Sequence, residues 1–202
     1  QRMIERWNTV ESRITYHDQW LTVRSDRCET RSGQVIAPYH VLEYPTWVNL
    51  VAITPESRAV LVREYRHGIG EVVVGIPGGA MDPKDATPDD AVRRELREET
   101  GYTAGRLIRL GRSYANAGSQ NNIMWSYLAI GAQQTCEPAP DATEEIEVVQ
   151  EDLAAFVGAI EAGTITVQAM HITTLLWAVR YIMRNTLPGL EDLRHDLVTL
   201  ST

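Results

Sequence analysis

A chain of 202 residues, 44% hydrophobic and 23% charged, is long enough to bury a substantial core and has the make-up of an ordinary globular protein. Its formal charge of −8 argues against a nucleic-acid partner gripped through its phosphate backbone, which needs a basic face. A small polyanion stays open to it, because a metal ion and a few arginines can invert the local field.

The first strands fall within residues 13–50. Segments 21–28 and 35–42 flank Arg31-Ser32-Gly33, which reads as a hairpin turn, and 48–53 is a short apolar run. Thr54-Pro55-Glu56-Ser57 then turns the chain into 59–63, a second hairpin expected to enter the central sheet. Segment 72–76 leads into Ile76-Pro77-Gly78-Gly79-Ala80-Met81-Asp82-Pro83, a loop whose glycines permit close backbone approach to a ligand. A helix follows with its ends marked. Thr87 is a natural N-cap, Pro88 fits the first helical position, Asp90 completes a capping box and Gly101 suits a left-handed stop. Ala91 and Leu96 are its core-facing residues, with the acids elsewhere.

Segments 107–113, 123–130 and 146–149 read as further strands, and two helices close the chain. One carries Leu153, Phe156, Val157 and Ile160 as an apolar stripe; the other carries Ile172, Leu175, Leu176, Val179 and Ile182, with His171, Arg180 and Arg184 off the stripe. The second stripe reads as core packing. No apolar run approaches membrane-spanning length and no signal-like start is present; the first residue is Gln1 rather than methionine, so a trimmed start is expected. Cys28 and Cys136 form no metal-type cluster and fit ordinary thiols in a reducing compartment, with the cytoplasm as the expected location. Strands and helices in this mixture give an α/β fold, a mixed sheet between helices, in a single compact domain with an N-terminal extension.

The capped helix carries the chemistry. Arg94-Glu95-Leu96-Arg97-Glu98-Glu99-Thr100-Gly101-Tyr102 sets three carboxylates, Glu95, Glu98 and Glu99, three and four residues apart on one helix face. Like charges so placed repel, and a hard divalent cation such as Mg²⁺ relieves the conflict by taking carboxylate oxygens as ligands. A solvated acidic surface is the plainer account of such a run. The glycine loop and the capping signals upstream favour a site.

With the loop, the string resembles the signature of the Nudix hydrolases, Gly-x5-Glu-x7-Arg-Glu-apolar-x-Glu-Glu-x-Gly-apolar. Its second half is complete here as Arg94, Glu95, Leu96, Glu98, Glu99, Gly101 and Tyr102. The first half departs: strict spacing lands on Ala80 and Ala86, whereas one inserted residue puts Gly79 and Asp85 in the glycine and glutamate places. The resemblance implies an α/β/α sandwich and hydrolysis of a diphosphate by water, with Mg²⁺ (Mn²⁺ possible) held by Glu95, Glu98, Glu99 and the carbonyl of Gly78. Arg94, four residues before Glu98, can hold that carboxylate in place. Asp85 takes a supporting role.

Over residues 15–185 the chain is similar to the ADP-ribose pyrophosphatase and nucleoside diphosphate sugar hydrolase branch. That branch draws a catalytic or metal-binding glutamate from a later acidic loop, here Pro140-Asp141-Ala142-Thr143-Glu144-Glu145-Ile146-Glu147. Glu144 is the first choice as proton acceptor and Glu145 the second; strand alternation does not decide between them. Val62-Arg63-Glu64-Tyr65-Arg66-His67-Gly68 matches the branch's arginine-bearing strand, so Arg66, then Arg63, is expected on the substrate phosphate, with Gly79 beside it. His67 reads as a turn residue. Asn116 and Gln120 can read ribose or sugar hydroxyls, or else serve the turn they stand in. The branch also implies that residues 1–46 form a small antiparallel β-subdomain ahead of a main domain at 47–202, and that the protein is a homodimer paired through those N-terminal strands. The substrate expected is ADP-ribose or a nucleotide sugar, with no nucleic-acid or membrane partner. A non-hydrolysing nucleotide sensor, and an enzyme for CoA or dinucleotides, are the alternatives.

Overall fold

The computed structural model describes residues 4–141 and 143–200. The chain divides into two compact units: residues up to Pro45 with Tyr114–Ile123, and Thr46–Ser113 with the residues from Met124 onward.

The first unit is an antiparallel sheet in the order β1 (Asn8–His17), β2 (Thr22–Glu29), β3 (Val35–Glu43). Gly33, at φ 80°, closes the β2–β3 turn by donating its N–H to Thr30 O at 2.9 Å. β1 starts earlier than the apolar pattern indicates and is exposed along its whole length. Segment 114–123 is fastened to β3 by Leu42 N–H on Ser119 O (2.7 Å) and Tyr39 Oη on Gly118 O (2.6 Å). A buried Asp26 accepts from Ser12 (2.6 Å) and Arg24 (3.0 Å), and Arg24 continues to Glu43 (2.5 Å).

The second unit is built on a mixed sheet in the order β10 (Ile146–Asp152), β5 (Arg58–Arg66), β4 (Trp47–Ile53), β9 (Ile123–Gln134), β8 (Tyr102–Tyr114). β6 (Glu71–Gly75) pairs with β5 and β7 (Gly78–Ala80) with β4; β4 and β9 run parallel. β4 shows why helices cover both faces. Alternate residues Val48, Leu50 and Ala52 join one core with Ala91, Val92, Leu96 and Tyr127, while Val51 and Ile53 join the other with Leu61, Leu153, Phe156 and Ile182. The first core lies under α1 (Pro88–Thr100); the second lies under α2 (Leu153–Glu161), α3 (Ala169–Arg184) and α4 (Glu191–Leu200). This is the α/β/α sandwich, with an N-terminal antiparallel sheet.

Three expectations need correction. The glycine loop contains a strand, because β7 lies in register with Trp47, Val48 and Asn49 of β4. A third closing helix, α4, buries Leu193 and Leu197. On α3 the buried face is rotated from the predicted stripe: Ile172 and Leu176 are 47% and 53% exposed, whereas His171 and Thr174 are buried. Thr174 can sit inside because its hydroxyl meets that of Ser126 at 2.7 Å.

Candidate active site

The site grows from the start of α1. Thr87 Oγ1 accepts from Asp90 N–H, Pro88 occupies the first turn, and Gly101, at φ 75°, returns its N–H to Arg97 O at 2.8 Å. With both ends fixed and Ala91, Val92 and Leu96 packed on the sheet, the orientation of Glu95, Glu98 and Glu99 is set by the helix. The acids are not turned away from the interior, as the sequence pattern suggested. Glu99 is buried, and its Oε2 accepts from Gly78 N–H at 3.0 Å. Glu95 lies against the next glycine: a Cβ built on Gly79 would stand 2.5 Å from its Oε1 and 2.7 Å from Cδ. The glycine backbone and the helix therefore meet, as the loop composition led us to expect.

Arg94 organises this face. It donates to Glu98 (2.9 Å), Glu95 (3.1 Å), Ala80 O (2.9 Å) and, with two nitrogens, Asp85 (2.8 and 3.1 Å). Asp85 also accepts from Asp82 N–H at 2.8 Å, so it ties the loop to the arginine. Its hydrogen bonds from Arg94 hold the Asp85 carboxyl below the usual range, and those with Asp85 raise the Arg94 guanidinium in turn.

More carboxylates converge here than the helix supplies. Glu64 of β5 is buried and pairs with Arg66 of the same strand. Burial, then the charges of Glu144 and Glu98, push Glu95 up to about 7 against the pull of Arg94. Burial raises Glu99 well above a normal carboxyl, with Glu95, Glu64 and Glu144 adding to the rise. Burial also raises Glu64, Glu144 contributing and Arg66 opposing. Five glutamates thus feel one another across a space balanced by Arg94 and Arg66. Among the described residues no three His, Cys, Asp or Glu side chains already stand round a common point. Instead Glu95 and Glu98 are drawn onto Arg94, and Glu99 onto Gly78. The excess negative charge and all-oxygen donor set fit a hard divalent cation.

The other predicted residues fall as follows. Glu144 is exposed, accepts from Asp141 N–H at 3.2 Å, and belongs electrostatically to the cluster; Glu145 is exposed. Arg63 pairs with Glu147, its neighbour across β10, at 2.6 Å, and by alternation faces away from Glu64 and Arg66. His67 is an exposed turn residue beside Tyr65. Asn116 and Gln120 belong to the first unit: Asn116 Oδ1 accepts from Gly118 N–H at 3.3 Å and its carbonyl from Gln120 N–H at 2.8 Å, which is turn chemistry. Sequence reasoning missed Glu64, although alternation along β5 places it with Arg66. His171, expected off the packed stripe, is instead buried with its ring against Gly75.

A model of the NUDIX domain matches residues 44–168, and one of a nucleoside diphosphate sugar hydrolase N-terminal domain matches residues 7–42. An ADP-ribose pyrophosphatase of Bacillus subtilis is 33% identical over 89 residues, 44% of this chain and 48% of that protein, so the match spans about half the length of that relative. A methanol dehydrogenase activator of Bacillus methanolicus is 27% identical over 143 residues, 70% of this chain and 76% of that one. The crystal structure of an ADP compounds hydrolase superposes with a TM-score of 0.78 over 90% of this chain and 97% of its own, a likeness of fold at 22% identity.

Proposed function

The chain belongs to the Nudix family, and from that premise we propose that it hydrolyses the diphosphate of ADP-ribose or a nucleotide sugar, releasing a nucleoside monophosphate and a phosphorylated sugar. The observation that carries this reading is the meeting of the α1 carboxylates with the Gly78–Gly79 backbone inside a cluster of five glutamates. Glu95, Glu98, Glu99 and the carbonyl of Gly78 would hold Mg²⁺, or Mn²⁺. When bound, the ion supplies charge neutralisation at the diphosphate and a more acidic water.

The protein's own work is positioning and proton removal. Arg94, braced by Asp85, sets the angles of Glu95 and Glu98. Arg66, anchored through Glu64, presents a guanidinium suited to phosphate oxygens. Glu144, solvent-exposed and close enough to raise the carboxyls of Glu64, Glu95 and Glu99, takes the proton of the attacking water. We further propose a homodimer paired through the three-stranded sheet, on the grounds that β1 is exposed from end to end.

An activity panel tests the reading: ADP-ribose, UDP- and GDP-sugars, dinucleoside polyphosphates, NADH and CoA, each with Mg²⁺ and Mn²⁺. We expect turnover of ADP-ribose or a nucleotide sugar that stops in EDTA. Binding without turnover of any member would replace it with a nucleotide sensor, and preference for CoA or a dinucleotide would move the substrate class.

A further inference from the structure

His171, in the first turn of α3, has no part in the chemistry above. Its side chain is 5% exposed, on a helix face that otherwise buries Thr174, Leu175, Ala178 and Ile182. The ring lies against Gly75, where a Cβ would stand 2.5 Å from both Cε1 and Nδ1. The strand end that feeds Gly78 and Gly79 therefore carries no side chain while the imidazole is in place. Its charged neighbour is Arg66: burial first, then that positive charge, keeps the imidazole neutral, its pKa pushed down to about 4.

Both groups carry a sealed nitrogen. Nε of Arg66 and Nδ1 of His171 are closed to solvent and have no hydrogen-bond partner among the described residues. A guanidinium Nε–H can only donate, and a neutral imidazole offers one bare nitrogen as acceptor, so the two are chemically complementary. A buried polar group left unpaired carries a desolvation cost. A leucine or phenylalanine would fill the space beside Gly75 without that cost. Packing alone gives no reason for an imidazole here.

Resting on the reading that Arg66 grips the substrate phosphate, we propose that His171 is a positioning residue for that arginine. Its ring, seated on Gly75, is the acceptor for Arg66 Nε–H as the phosphate is engaged. Imidazole and Glu64 then fix the guanidinium from two sides. The reach from α3 to β5 also makes the C-terminal helical layer part of substrate binding.

The test is a double-mutant cycle on the full chain with ADP-ribose and Mg²⁺. His171→Phe keeps the ring's size without its nitrogens; His171→Asn returns a polar atom close to the place of Nδ1. We expect His171→Phe to raise KM by roughly tenfold to a hundredfold with an unchanged circular dichroism spectrum. His171→Asn should recover much of that loss, and His171→Phe should add nothing on an Arg66→Ala background, because its effect runs through that side chain. Losses that multiply independently, or a folded His171→Phe enzyme with wild-type KM and kcat while Arg66→Ala is impaired, overturn the inference alone. Wild-type kinetics in Arg66→Ala remove the reading of Arg66 itself, and the inference with it. If His171→Phe does not fold, His171→Leu gives the same cycle and is judged by the same outcomes.

Discussion

Two carboxylate roles that look alike in a sequence separate once their partners are known. Glu99 meets the glycine strand at Gly78 N–H and Glu98 meets Arg94 through Oε2, whereas Asp85 spends both oxygens on Arg94 and a loop N–H. Glu98→Gln or Glu99→Gln is therefore expected to lower kcat by roughly a thousandfold or more, by weakening the proposed cation site where charge develops. Asp85→Asn leaves Arg94 bonded to Glu95, Glu98 and Ala80, and is expected to cost about 10–100-fold. Equal losses in steady-state kinetics would show that Asp85 stands in the site itself. His171 gives a second prediction at this scale, in stability. Its folded pKa, about 4, lies below the 6.5 of an unperturbed histidine. Between those values the unfolded chain takes up a proton that the folded chain refuses, so stability is lost as pH falls through that window. Urea unfolding at pH 7 and pH 4 should show wild type losing up to about 3 kcal/mol more than His171→Phe. Parallel losses in the two proteins would mean that the imidazole is not held neutral.

Elements were legible where the signal is local. α1 is marked by Thr87, Pro88, Asp90 and Gly101, whose roles depend on residues within one turn, and β4 by a short apolar run, interrupted at Asn49, of the kind a strand covered on both faces carries. β7 was not legible, because Gly78 and Gly79 have no strand preference and are extended only by pairing with β4. α4 had its spacing in Leu190, Leu193 and Leu197, but among Glu191, Asp192, Arg194, His195 and Asp196 so short a helix needs the core beneath it to declare itself. Within the site, the motif points to Glu99 but not to its burial; composition treats glutamate as a surface residue, and inside it is met by the N–H of Gly78. The contact between β7 and α1 can be tested directly. Gly79→Ala drives a methyl into the Glu95 carboxylate, the far end of a flexible side chain, so the fold should persist while Glu95 is displaced. Turnover should fall by roughly a hundredfold. Gly105→Ala, in β8 with open space around its Cβ position, is the matched control and should leave activity unchanged. Equal behaviour of the two variants would remove Glu95 from the mechanism.

At the scale of the whole molecule, the first unit has an edge that calls for cover. A three-stranded sheet sits at the lower limit of independent stability, and here one edge strand is left uncovered. All ten residues of β1 are exposed, with Val10, Ile14 and Tyr16 each about half accessible at 53%, 54% and 52%, and Trp7 nearby at 47%. Proteins blunt such edges with charge, proline or cover, because an open row of N–H and C=O groups recruits another strand. β1 carries Glu11 and Arg13 among its apolar residues and no proline, a weak guard for so long an edge. A twin subunit is the cover we propose, and the expected state is a homodimer at micromolar concentration by light scattering. Removing residues 1–46 should abolish pairing and raise KM or destroy activity together. That deletion also strips β3 from segment 114–123, so Val10→Lys with Ile14→Lys is the cleaner perturbation. The pair places two charges on the edge and leaves the β2–β3 ladder whole, and should yield a folded monomer with the same loss of substrate affinity. A wild-type protein that is monomeric under these conditions, yet hydrolyses ADP-ribose normally, would show that β1 is a free edge and that each chain carries a complete site.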